Sequence, residues 1–144
     1  IYSDGGQLLR EDLNNIVIYN DGLYEMVDIE YKKDFREMYD VQLEFNKNFF
    51  VGRKLKDSDK ESKTKDFIIH AIVELTEVLN CVNWKMHKQN NKKLNERELL
   101  EECVDVFKYL LCLVQLWGFT KAEFINVFFA KSKKVEEIFK KEMQ

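Results

Sequence analysis

The sequence contains no proline and only five glycines in 144 residues. So few turn-formers exclude a fold stitched together by many tight turns and favour long helices with few connections. Cysteine is sparse as well. Cys81, Cys103 and Cys112 show no CxxC spacing and fall inside apolar helical patterns, which reads as buried, reduced thiols in a cytoplasmic setting. The most apolar run, 109–117, is interrupted by Gln115 and falls well short of the ~20 residues a bilayer span needs. No membrane partner is therefore expected, and the pattern of a signal peptide is missing too. Charge of one sign is also lacking: 26 acidic and 23 basic residues leave a net −3. Without a basic excess, nucleic acid is not an expected partner.

What the chain does have is core material, with 45% hydrophobic and 13% aromatic residues. At this length it makes one domain with one sizeable core. Residues 1–33 stand apart as an accessory segment. Leu8, Leu9, Asp12 and Leu13 hint at a short helix, and Ile16–Tyr19 and Leu23–Ile29 flank the turn-prone Asn20-Asp21-Gly22, the pattern of a small hairpin.

From residue 34 to 144 the period is helical. Phe35, Met38, Val41, Phe45 and Phe49 recur at threes and fours and predict one apolar stripe on a first helix. Gly52 to Lys65 is charged or small and reads as a solvated loop with helix-start signals late in it. Phe67 to Val82 predicts a second helix whose core face is Phe67, Ala71, Leu75, Val78 and Val82, widened by Ile68, Ile72 and Leu79. A third opens at Asn95, a capping residue with Glu98 three positions on, and stops at Gly118. Thr120 and Glu123 repeat the capping pattern and open a fourth through Phe124, Val127, Phe128, Val135 and Phe139. The expected fold is all-α, a bundle of four or more helices.

Two carboxylate pairs carry the chemistry. Glu74 and Glu77 stand three apart on the second helix, and Glu102 and Asp105 three apart on the third. In each pair both side chains leave the same face one turn apart, beside the apolar stripe. One such pair is common on a solvated helix face in a chain with 26 acids. Two pairs on consecutive helices are a different matter, because antiparallel packing would bring four carboxylates to one point. Four anions in a low-dielectric spot require a cation, and hard oxygen ligands select Mg²⁺ or Mn²⁺. His70, one turn before Glu74, reads as a polar neighbour rather than a ligand. Between the helices runs a basic connector, Trp84-Lys85-Met86-His87-Lys88 followed by Lys92, Lys93 and Arg97. It is either a solvated loop or a cradle for phosphate.

The order Glu74-x-x-Glu77, tryptophan–lysine connector, Glu102-x-x-Asp105 and a further helix resembles the dimeric dUTPase and dCTPase family, all-α nucleotide pyrophosphatases related to the MazG-like enzymes. Gln42-Leu43-Glu44-Phe45-Asn46 resembles that family's first-helix Q-x-x-x-N, and the likeness covers roughly residues 35–140. The resemblance implies a homodimer that hydrolyses dUTP, and dUDP as well, to dUMP with Mg²⁺ as cofactor. It implies metal ligation by Glu74, Glu77, Glu102 and Asp105, with Glu74 or Glu77 as proton acceptor. Gln42 and Asn46 would hold base and sugar, and Trp84, Lys85, Lys88 and Lys131 the rest of the nucleotide. One departure stands out. Where the family's last helix continues its lysine with an asparagine and an arginine that contact phosphate, Lys131 is followed by Val135 and Ile138. Two other readings stay open: a relative acting on another nucleotide such as dCTP, and a helical regulatory or interaction domain without activity.

Overall fold

The computed structural model describes residues 16–18, 24–26, 34–85 and 93–144. Two short strands, β1 (Ile16–Ile18) and β2 (Tyr24–Met26), pair antiparallel with Ile16 opposite Met26 and Ile18 opposite Tyr24. The expected small hairpin is therefore present, while the turn tripeptide and the short helix expected near Leu8 lie outside the described residues. Four helices follow: α1 (Phe35–Asn46), α2 (Asp57–Asn80), α3 (Glu96–Leu116) and α4 (Lys121–Glu142). The domain is an all-α bundle.

The capping signals act where the sequence placed them. Asn95 accepts a hydrogen bond from the Glu98 backbone N–H at 3.1 Å. Thr120 and Glu123 bond reciprocally, at 3.1 and 3.0 Å. Gly118 takes φ +78°, a conformation open to residues without a Cβ, and the chain turns by 112° from α3 into α4. One boundary differs from expectation. α2 begins at Asp57, inside the segment read as loop, because acids in its first turn suit the helix dipole and the Asp59 carboxylate accepts from the Lys56 N–H at 3.3 Å.

α2 and α3 run antiparallel. Trp117 Nε1 donates to Thr64 Oγ1 at 2.9 Å at one end, His70 stacks on Tyr109 in the middle, and Glu74 meets Glu102 and Asp105 further along. α1 crosses the second half of α3. Around the crossing sits the core, with Phe50, Cys112 and Leu116 buried and Val51, Leu55 and Phe67 packed on them.

The faces turned inward differ from the hydropathy stripes. On α1, Tyr39, Gln42 and Asn46 are buried, while Met38, Val41 and Phe45, and Phe49 in the turn beyond it, are exposed. On α2, Ala71 is buried, but Leu75, Ile68, Ile72 and Leu79, and Val82 just past its end, are exposed. α4 has no buried residue. Polar Gln42 and Asn46 can go inside because their amides are hydrogen-bonded there; the apolar stripes stay largely outside, uncovered by the other described residues. Cys81 and Cys112 are buried as expected, and Cys103 is exposed. Among the described residues no single helix is long and apolar enough to cross a membrane.

Candidate active site

The antiparallel packing of α2 and α3 joins the two carboxylate pairs. Glu74, Glu102 and Asp105 each offer an oxygen to a group in which all atoms lie within 4.8 Å of one another. Glu77 stands outside that tight group on a more exposed position, yet its charge reaches Glu102. Burial pushes the Glu102 carboxyl above its usual range, and the charges of Asp105 and Glu74, a hydrogen bond with Glu74 and the charge of Glu77 push the same way. The next carboxyl on the helix, Glu101, is likewise raised by burial and by Asp105. Half-buried anions crowded together in this way fit a hard divalent cation. His70 is not in the group; its ring lies 5.5 Å from that of Tyr109 at an interplanar angle of 12°.

The carboxylates open onto a cavity of about 550 Å³. Glu74 and Asp105 line one part of it, and Gln42 and Asn46 another. Phe45, Phe49, Phe50 and Phe67 supply aromatic walls. A volume of several hundred Å³ with mostly apolar walls and a few polar groups is that of a small-molecule site. The structure thus brings together residues that the sequence separates by more than sixty positions. It also adds some that sequence reading missed. Lys108 and Tyr109 line the cavity between the two ends, and their signal was available: they lie three and four residues beyond Asp105, on the same helix face. Tyr109 has its hydroxyl pushed upward by burial and then by the charges of Glu74, Cys112 and Asp105.

Within one chain the other expected contacts lie elsewhere. Lys131 lines a separate groove along α4 with Phe128, Val135 and Phe139. Lys85 sits with its ammonium 5.2 Å from the Trp84 ring centroid, just beyond α2, and neither residue lines the cavity. Met86, His87 and Lys88 lie outside the described residues.

A family model described as dUTPase matches residues 34–144, which is the whole helical domain. The chain belongs to the dimeric all-α dUTPase family. No curated protein and no solved structure matches it significantly.

Proposed function

We propose that this dUTPase-family protein hydrolyses dUTP, and dUDP as well, in a Mg²⁺-dependent reaction that releases dUMP, with pyrophosphate as the second product from dUTP. The observation that carries the reading is the single cavity that Gln42 shares with Glu74 and Asp105. Glu74, Glu102 and Asp105 would hold Mg²⁺, or Mn²⁺ in its place, with Glu77 close by. When bound, the metal supplies Lewis-acid chemistry, stabilising negative charge on phosphate oxygens. Glu77, the member of the first pair left outside the tight group, would accept the proton of the attacking water on a carboxylate oxygen. Gln42, backed by Asn46, holds the base, and the aromatic walls exclude water from it. Lys108 sits beside the carboxylates and neutralises phosphate, aided by Lys85 and Lys131 from outside the cavity and by Lys88.

We further infer that the working unit is a homodimer. Ile68, Ile69, Ile72, Val73 and Leu75 leave α2 apolar on faces that α3 does not cover, each at least 45% exposed. Exposed apolar patches of this extent mark association surfaces. Phe124, by contrast, is used within the chain, stacked on Phe35 at 5.1 Å.

Pyrophosphate release measured across the deoxynucleotides, with and without Mg²⁺, tests the reading. Fast, Mg²⁺-dependent release from dUTP supports it. Equal rates on dUTP and dCTP would move the assignment to a broader nucleotide pyrophosphatase, and no turnover of any nucleotide would sink it.

A further inference from the structure

A chain of buried amides runs from the cavity to the backbone of α1. It begins at the Tyr39 carbonyl, which can only accept, and Gln115 Nε2 donates to it at 3.0 Å. Gln115 Oε1 then accepts from Asn46 Nδ2 at 2.8 Å. With its nitrogen committed, Asn46 presents Oδ1 to Gln42, whose Nε2 donates at 3.1 Å. The second proton of Gln42 Nε2 goes to Cys112 Sγ at 3.6 Å. Cys112 does not set the direction, because its thiol both accepts from Asn46 Nδ2 and donates to Asn46 Oδ1.

Turning one amide end for end exchanges a donor for an acceptor with almost no change of shape. In this chain no member can turn alone, since each would then face oxygen with oxygen or nitrogen with nitrogen. The direction is anchored on a backbone carbonyl that cannot invert. Asn46 and Gln115 are 2% and 6% exposed, so water cannot take over a lost bond. At the cavity end, both protons of Gln42 are spent. Its Oε1 has no hydrogen bond among the described residues and is the polar atom left to a ligand.

We propose that Gln115 is a positioning residue that fixes the polarity of Gln42, so that the site offers the base an acceptor. Such a site selects nucleobases carrying an imide N–H, as uracil does, over cytosine, whose ring nitrogen at that place is itself an acceptor. Asn46, nearly sealed from the cavity and saturated by its neighbours, acts through Gln42. This inference rests on the nucleotide reading of the cavity given above, and it assigns a role to a residue on α3 that the cavity itself does not include.

Gln115→Met and Gln115→Glu separate positioning from mere packing. Methionine removes both ends of the bond and frees Asn46 and Gln42 to turn together. Glutamate keeps an acceptor toward Asn46 and so keeps the direction. The readouts are the ratio of kcat/KM for dUTP over dCTP and the ratio of affinities for dUMP over dCMP, with melting curves to show that each variant is folded. The wild type should favour the uracil nucleotide in both ratios. Gln115→Met should lower them by about tenfold or more, with kcat at saturating dUTP largely kept, and Gln115→Glu should retain them even if it melts earlier. A packing role would weaken both nucleotides alike and leave the ratios fixed. A wild-type preference that survives Gln115→Met overturns the relay alone. A wild type with no preference between dUMP and dCMP overturns the relay and the dUTP assignment together, and that measurement needs no variant.

Discussion

Glu74 on α2 and Asp105 on α3 place carboxylate oxygens within 4.8 Å of each other, and Glu102 completes the group at the same spacing. Without a cation, that proximity is a cost to folding, because like charges repel across a half-buried gap. Asp105→Asn is expected to abolish Mg²⁺-dependent turnover while leaving the metal-free protein as stable or more so. The gain is on the order of 1 kcal/mol, or roughly 4 °C in melting temperature for a domain of this size. Near-full activity in the variant would show that the metal site is misassigned.

Glu77→Gln should separate proton transfer from metal holding. It lies outside the tight group, so the variant should lose turnover by about 100-fold or more. Its metal-free melting temperature should move less than that of Asp105→Asn. Calorimetric Mg²⁺ titration checks the distinction: an affinity lost in Glu77→Gln as fully as in Asp105→Asn would make Glu77 a ligand and not the base.

Gln42→Ala should erode discrimination between dUTP and dCTP by about tenfold and leave Mg²⁺ affinity as it is. Rates on the two nucleotides that stay as far apart as in the wild type would show that Gln42 does not read the base.

The exposed apolar surface predicts association. Sedimentation at micromolar concentration should give a dimer, and an aspartate in place of Ile72, which is 56% exposed, should shift it toward monomer with loss of activity. A wild-type chain that sediments as a stable monomer rules the dimer out.

Stability toward acid should depend on the cap of α4. Glu123 has its carboxyl held below the ordinary value of 4.5, first by the hydrogen bond from the Thr120 backbone and then by that with its side chain. A depressed folded pKa contributes stability above the unfolded value and loses it as pH falls through the folded one. Glu123→Gln should therefore melt earlier than the wild type at neutral pH, and the two should converge below pH 4.5. A gap that persists into stronger acid would mean the carboxylate charge is not what stabilises the cap.

Much of this was legible locally. The caps at Asn95 and Thr120, the stop at Gly118 and the spacing of Glu74 with Glu77 and of Glu102 with Asp105 are short-range facts, fixed by helix geometry within a turn or two. Hydropathy could not tell which face of α1 is buried, because it cannot see whether a polar group has a partner. Gln42 and Asn46 go inside only because Gln115 and Cys112, some seventy residues away, complete their hydrogen bonds. Likewise Met38, Val41 and Phe45 stay mostly outside, where no other described element covers them.

The sequence by itself determined the four helices, the ends marked by Asn95, Gly118 and Thr120, and the pairing of carboxylates one turn apart, since each depends on neighbours along the chain. Only the tertiary structure decided that three of those carboxylates meet, that Lys108 and Tyr109 join them on one cavity while Lys131 lies on another groove, and that the Gln42 amide is held in one direction. Those outcomes depend on which faces of α1, α2 and α3 are brought together, and a helix with apolar residues on several sides does not specify that from its own period.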